Sequence, residues 1–239
     1  MDITIYLLCY NEEVMLPHTL DHYLKRFPRA TIMIIDNEST DRSVEIAKAR
    51  GCRVISWDTG NESNIIKHTE LKNNIWKSAL TDWVIVADMD EWAEITEADL
   101  LKEDALGSTI LHFHGVQMVG QSQSLILEDI DLHALKTGYL ERLFNKHVCF
   151  KRTAITEMNY SRGAHTSAEK GTVKYGKPIY KLKHMNFLGL PWFREKMIGR
   201  FKRTVYNRTK LRCSGHYSDK EADILAKYGR AVELSKTIF

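Results

Sequence analysis

A chain of 239 residues, 44% hydrophobic and 27% charged, has an ordinary globular composition and is long enough to bury a substantial core. Its net charge of +3 gives no electrostatic case for nucleic acid, and no run of about 18 apolar residues is present to span a membrane. The start, Met1-Asp2-Ile3-Thr4, lacks the basic segment and cleavage site of a secretion signal, so a cytoplasmic setting is expected, with peripheral membrane association left open. Cys9, Cys52, Cys149 and Cys213 are scattered without Cys-x-x-Cys spacing and read as reduced thiols.

In chain order, Ile3 to Cys9 is an apolar run that reads as a fully buried strand, stopping at Tyr10-Asn11-Glu12-Glu13. Val14 to Phe27 has helical periodicity and is closed by Pro28. Thr31 to Ile35 reads as the second strand, ending at Asp36. Asn37 to Asp41 is turn chemistry, with Ser39 or Thr40 expected to cap a helix over Ser43 to Arg50 and Gly51 to stop it. Arg53 to Trp57 reads as a strand, 58–64 as a polar loop, Ile65 to Ala79 as a helix and Trp83 to Ala87 as a strand. This alternation predicts an α/β fold, a mostly parallel central sheet with helices on both faces. Ligands bind such sheets beyond the carboxyl ends of the strands, where Tyr10-Asn11-Glu12, Asp36-Asn37 and Asp88-Met89-Asp90 all fall.

Asp88 and Asp90, two apart at a strand end, project to the same side if the extended geometry persists. Two hard oxygen ligands there suit Mg²⁺ or Mn²⁺, which can hold a diphosphate. The bland alternative is a solvated surface turn. No G-x-G-x-x-G follows the first strand and no phosphate loop of the G-x-x-x-x-G-K-S/T type occurs, which weighs against a dinucleotide dehydrogenase or a P-loop enzyme.

The second half reads as a strand over Thr109 to Val119, an irregular stretch over 121–138, a strand near Val148 to Lys151 and a loosely alternating strand from Ile179 to Met185 that carries His184. Leu190 to Tyr206 reads as a basic helix bearing Arg194, Lys196, Arg200, Lys202 and Arg203. Its charge invites a nucleic-acid or membrane reading, but Trp192, Phe193 and Phe201 more simply pack it on the core. A last helix is expected from about Asp219 to Leu234, with Ser218 as its cap.

Leu8-Cys9-Tyr10-Asn11-Glu12, Ile35-Asp36-Asn37-Glu38-Ser39-Thr40-Asp41 and Asp88-Met89-Asp90-Glu91, in that order, resemble the GT-A glycosyltransferases of the family-2 kind. Arg162-Gly163-Ala164-His165 and Lys183 to Gly189 resemble a bacterial and viral subgroup of them. The resemblance implies one domain, with residues 1–92 as the nucleotide-binding half and 93–239 as the acceptor-side half with C-terminal helices. It implies a metal-dependent, inverting transferase that moves a sugar from a nucleotide-sugar donor, a UDP-sugar, to a glycan or other hydroxyl acceptor. Leu8, Tyr10, Asn11 and Glu12 would then line the nucleotide, Asp36 would accept from the base, and Lys72 would approach base or diphosphate. Asp88 would face ribose and metal, Asp90 would bind the metal, and His184 would join it, while Glu91 and His165 would lie on the acceptor or donor-sugar side. For the base, Glu128-Asp129 and Glu141 are the candidates, with Asp58 a weaker third.

Each role has a plain rival. Asp36 and Asp41 serve equally as turn formers, Lys72 as a solvated helix residue, and His165 and His184 as core histidines with satisfied nitrogens. At the level of activity, the alternatives are a nucleotidyltransferase, which would want a Gly-rich basic loop where Tyr10-Asn11-Glu12-Glu13 is acidic, and a binding protein without catalysis.

Overall fold

The computed structural model describes residues 1–239. Strands β1 (Ile3–Cys9), β2 (Thr31–Asp36), β3 (Arg53–Ser56) and β4 (Trp83–Asp88) alternate with helices α1 (Met15–Arg26), α2 (Ser43–Ala49) and α3 (Ile65–Asn74). Then come β5 (Glu91–Glu94), α4 (Glu97–Ala105), β6 (Ile110–Val119), β7 (Thr137–Leu140), β8 (Cys149–Lys151), β9 (Ile155–Glu157), β10 (Lys170–Gly171) and β11 (Tyr175–Phe187). Helices α5 (Leu190–Arg203), α6 (Val205–Thr209) and α7 (Glu221–Leu234) precede a short strand, β12 (Lys236–Thr237). β9 and β10 form a separate ribbon, and the other ten strands make one sheet.

The part of that sheet built by the first four strands is parallel, in the order β3-β2-β1-β4. All seven residues of β1 are buried, because helices cover both faces of a parallel sheet and no polar side can be spared. The register sets the strand ends level: Cys9 lies opposite Asp36, and Leu8 opposite Asp88. Tyr10, Asn37 and Met89 therefore leave the sheet side by side. Beyond β4 the sheet turns antiparallel through β8, β6, β7 and β12. β11 runs parallel to β6 on one side and antiparallel to β5 on the other.

Two apolar clusters cover the two faces. One gathers alternate residues of β1 and β4 (Ile3, Ile5, Leu7, Trp83, Ile85) with Leu16, Leu20 and Tyr23 of α1. The other gathers the opposite set (Tyr6, Val84, Val86) with Trp76, Phe150 and Tyr160. A third, smaller cluster packs Phe193 and Met197 of α5 against Val119, Phe187 and, on α7, Ile224 and Ala231. This cluster lays α5 across the sheet ends. Gly189, just before α5, passes so close to the Ser122 carbonyl oxygen that a Cβ there would collide with it.

Local boundaries differ from the sequence reading in physically clear ways. The N-cap of α2 is Arg42, not Ser39 or Thr40, and makes no side-chain capping bond; Asp41 Oδ1, one residue earlier, accepts from the Ser43 amide at 2.9 Å. Ser39 and Thr40 are held by Asn11 instead: the Asn11 amide donates to Ser39 Oγ (2.9 Å), and the Thr40 amide to Asn11 Oδ1 (2.7 Å). The expected helix Ile65 to Ala79 gives way after Asn74 to a 3₁₀ turn, Ile75–Ser78. α4 was not anticipated, although Thr96 and Asp99 form a full capping box at its start. β11 is longer than expected, and the basic helix stops at Arg203. At the last helix, Ser218 Oγ accepts from the Lys220 amide at 3.2 Å, one turn residue ahead of Glu221.

One buried group on α1 gives the fold a pH dependence. His22 is 1% exposed, donates from Nε2 to the Ala93 carbonyl (3.0 Å) and stacks on Trp92. Burial, reinforced by the Arg26 cation, pushes its pKa down from 6.5 to about 2. As pH falls through 6.5 the unfolded chain takes up a proton that the folded chain refuses until about 2, so stability falls across that window. His22→Gln is expected to flatten the decline of melting temperature between about pH 6.5 and 4. A variant whose melting temperature falls in parallel with the parent would show that His22 carries none of the effect.

Candidate functional site

The acid turn is built by three strands. β4 ends at Asp88, the chain turns through Met89 and Asp90, and Glu91 opens β5. β5 pairs with β11 so that Glu91 lies opposite His184, and β11 pairs with β6 so that His184 lies opposite Gln117. That pairing brings His184 to the acids across more than ninety residues of chain.

Every carboxylate here is met by a cation. Asp88 Oδ1 is 2.8 Å from Lys72 Nζ, and its Oδ2 is 3.9 Å from Lys146 Nζ. Lys72, on α3, is buried rather than solvated. Glu91, 1% exposed, is paired with Lys146. Asp90, 2% exposed, presents Oδ2 to Lys196, to His184 Nε2 at 3.3 Å and to Arg200 at 3.4 Å. Burial alone would raise both aspartates. For Asp88, Lys72 and Lys146 overcome it and hold the carboxyl below the ordinary range. For Asp90, Lys196, His184 and Arg200 do the same, and hold it well below. Glu12 goes the other way: burial, with Asp90 adding and Lys196 opposing, pushes its carboxyl up to about 7.

Three carboxylates (Asp88, Asp90, Glu91) thus face four permanent cations (Lys72, Lys146, Lys196, Arg200). Buried charge clusters of this kind add little to stability, since desolvation offsets much of the attraction. They gather where charged ligands are handled.

The ends of β1 and β2 lie beside the acid turn. Asp36 is buried, and both its oxygens accept from the Ser39 amide at 3.3 Å, so it shapes its own turn. Asn37 donates to the Trp57 carbonyl (2.9 Å) and to Thr59 (2.8 Å). Arg203 lies 3.2 Å above the centre of the Tyr10 ring and donates to Asn37 Oδ1 at 2.8 Å. His68, on α3, has a buried Nε2 with no hydrogen-bond partner. Burial pushes its pKa down to about 4, with Asp88 pulling it up and Lys72 pushing it down.

The candidate base carboxylates and His165 lie in turns of the second half. Asp129 accepts from Ser122 and from the Gln123 amide (2.7 Å), and these bonds hold its carboxyl below the usual range. Glu128 accepts from Ser124. Glu141 caps the short turn Arg142–Phe144. His165 meets the edge of Phe144, whose other contact is a stack on His184 with centroids 4.4 Å apart. It lines a cavity of about 410 Å³ together with His112, His114, Lys146, His147 and Ser167. Behind that cavity Glu169 accepts from His147 at 2.6 Å, and His147 Nε2 meets His112 Nδ1 at 2.8 Å.

For a divalent ion the protein supplies a partial set. Nowhere do three His, Cys, Asp or Glu side chains gather closely enough to hold one by themselves. Asp90 Oδ2 and His184 Nε2, 3.3 Å apart, stand at the spacing of two neighbouring ligands of one ion. Gln117 Oε1, 2.8 Å from His184 Nδ1, accepts the proton there, the second bond that aims Nε2 at an ion held on Asp90. Such a two-ligand site fits an ion that takes its remaining ligands from a substrate diphosphate and water.

The residues that sequence reasoning missed are cations: Lys146, Lys196, Arg200 and Arg203. The signal was spacing. Lys196, Arg200 and Arg203 recur at i, i+4 and i+7, one face of a helix whose charge was set aside in favour of its aromatics.

Residues 4–98 match the family model of "Glycosyl transferase family 2". The chain is 27% identical over 66 residues to "Protein RfbJ" of Shigella flexneri, which covers 28% of this chain and 51% of that protein. It thus spans about half the length of this curated relative. Among solved structures, S. aureus TarS aligns with 97% of this chain and 43% of its own, at 13% identity and a TM-score of 0.46. Mannosyltransferase PcManGT from Pyrobaculum calidifontis aligns with 95% of this chain and 68% of its own, at 11% identity and a TM-score of 0.42. The matched stretch 4–98 holds all three polar strand ends and the acid turn, so the likeness to family-2 glycosyltransferases falls on the residues that build the candidate site.

Proposed function

We propose that the chain is a glycosyltransferase that moves a sugar from a nucleotide-sugar donor, a UDP-sugar, to a hydroxyl of a glycan or similar acceptor, with inversion and with the help of a divalent ion. The observation that carries this reading is the acid turn after β4, level with the ends of β1 and β2 and joined by His184 from the second half. In this reading residues 1–92 hold the nucleotide and 93–239 the acceptor. Leu8, Tyr10, Asn11 and Glu12 line the nucleotide, Asp36 accepts from the base, and Lys72 sets Asp88 toward the ribose and the ion. Asp90 and His184 hold Mn²⁺ or Mg²⁺, and Mn²⁺ is the better match because imidazole is a poor Mg²⁺ ligand. When bound, the ion neutralises charge that builds on the leaving diphosphate.

The acceptor oxygen bonds to the anomeric carbon as the bond from that carbon to the diphosphate breaks, and the acceptor proton passes to a general base. Asp129 and Glu141 are the carboxylates this reading offers for that base. Asp129 is already met by two donors, and Glu141 by a weaker one at 3.4 Å, so Glu141 has more accepting capacity free.

Three measurements test the reading. UDP is expected to bind, by calorimetry, on the order of tenfold or more tighter with Mn²⁺ than with chelator, since a charged ligand gains a charge-assisted partner; equal affinity in both would remove the ion from the account. His184→Ala is expected to weaken Mn²⁺ binding in the folded protein, because an imidazole nitrogen is lost from the ion's ligands. A lower melting temperature with unchanged Mn²⁺ affinity would make His184 a core residue only. Asp36→Ala should weaken UDP by about 1–3 kcal/mol, the loss expected for a hydrogen bond to a charged group, while Mn²⁺ binding stays as it was. Parental UDP affinity in that variant would leave Asp36 as a turn former.

A further inference from the structure

Helix α5 carries more positive charge into the site than the site's carboxylates can neutralise. Lys196 and Arg200 both address a single oxygen, Asp90 Oδ2, which His184 also approaches. Asp90 is the one carboxylate within ion-pair distance of either cation, with Glu12 acting on both from further off, and the other partner of Arg200 is the hydroxyl of Tyr217 at 3.1 Å. Arg203, one turn further, pairs with no carboxylate at all. It donates to the Asn37 side chain and the Asn61 carbonyl and lies on the Tyr10 ring. The three side chains sit at i, i+4 and i+7 on α5; Lys196 and Arg200 reach the turn after β4, and Arg203 the turns after β1 and β2. That face runs beside the stripe of Phe193 and Met197 that anchors the helix, so its direction is fixed by packing. The orphaned Nε2 of His68 lies within electrostatic reach of the same Arg200 and Arg203.

A structural clamp would not be built this way. A helix held down by ion pairs needs cations matched to acids, as Arg194 is matched to Glu221 on the opposite side of α5. The inward face instead has two cations on one acid and a third on a tyrosine and an asparagine. An excess of fixed, half-buried positive charge beside a neutral aromatic ring suits a ligand with several negative charges joined to a flat ring, which is the chemistry of a nucleoside diphosphate.

We propose that Lys196, Arg200 and Arg203 are the diphosphate-binding residues of the donor site, and that Lys196 in the nucleotide-free protein is an internal counter-ion on Asp90. This rests on the nucleotide-sugar reading above. The ammonium of Lys196 occupies the approach to Asp90 Oδ2 that a divalent ion would use, so ammonium and ion compete for it. When the ion and the diphosphate arrive together, Lys196 exchanges Asp90 for a phosphate oxygen, and the charge balance around Asp90 is kept throughout. Arg200 follows the same course from the far side of the same oxygen. Arg203, already placed over Tyr10, moves least, and holds the α-phosphate edge of the nucleotide against the wall formed by Tyr10 and Asn37.

The test is calorimetry on the full chain with Mn²⁺ alone, and with UDP or GDP both in saturating Mn²⁺ and in chelator, for the parent, Lys196→Gln, Lys196→Arg and Arg203→Gln. Lys196→Gln is expected to bind Mn²⁺ alone several-fold tighter and, in saturating Mn²⁺, UDP on the order of tenfold weaker, two changes of opposite sign. Lys196→Arg should recover UDP binding, and Arg203→Gln should lose UDP affinity with Mn²⁺ affinity unchanged. Circular-dichroism melting of each sample confirms that the readings come from folded protein. Should Lys196→Gln fail to fold, Arg203→Gln, whose parent side chain makes no ion pair, carries the UDP arm. UDP affinity within about twofold of the parent in both Gln variants, well below a lost charged hydrogen bond, overturns the assignment. Weaker UDP with unchanged or weaker Mn²⁺ in Lys196→Gln overturns the counter-ion role. A parent that binds neither UDP nor GDP, with or without Mn²⁺, refutes the nucleotide-sugar reading itself.

Discussion

Asp90 is a carboxylate with almost no contact with water, and a buried charge persists only when something of opposite sign is held against it. The rest of the site follows from how that condition is met. Three groups from three places in the chain converge on one oxygen: His184 from β11, and Lys196 and Arg200 from α5. Each has to be delivered by tertiary structure, since none is near Asp90 in sequence. β5, four residues long, does the first job by placing Glu91 opposite His184. The small cluster of Phe193, Met197, Ile224 and Ala231 does the second by laying α5 over the strand ends.

Charge balance also explains why the acid turn holds its shape with so many acids side by side. Asp88, Asp90 and Glu91 would repel one another strongly in a medium of low dielectric. Lys72 and Lys146 separate them, the first from α3 and the second from the segment before β8 that bridges to Phe113 of β6, and each is itself buried. Removing either lysine would leave a buried carboxylate uncompensated, which is the costly direction of change. The constellation is therefore a unit in which acids and cations depend on each other, and a multiply charged ligand can enter only by exchanging partners within it.

The first half of this arrangement was legible in the sequence. β1, β2 and β4 are continuous apolar runs ending in polar residues, and a buried parallel strand leaves that trace whatever its neighbours are. The second half was not, because its strands are short or interrupted and one face of several is polar. β5 reads Glu-Trp-Ala-Glu, a sequence that gives no hint that Glu91 is buried, since its burial depends on Lys146, fifty-five residues away. The family resemblance brought His184 to the acids, but nothing in the spacing showed that Gln117 would orient it. The basic face of α5 was visible as a charge pattern, yet a helical stripe of Lys and Arg is ordinarily solvated. Only the packing of its neighbouring stripe shows that it points inward. The carboxylate pair expected on the acceptor side lies in turns whose geometry depends on Ser122, Ser124 and Gln123, contacts that no periodicity encodes.

The account makes the acid turn and α5 two walls of one donor site. A crystal structure of the chain with UDP and Mn²⁺ tests this most directly. It is expected to show the ion on Asp90 and His184, the diphosphate between that ion and the side chains of Lys196, Arg200 and Arg203, and Lys196 no longer paired with Asp90. A nucleotide seated elsewhere, or a diphosphate that leaves Lys196 and Arg200 on Asp90 as they are in the free protein, would contradict it.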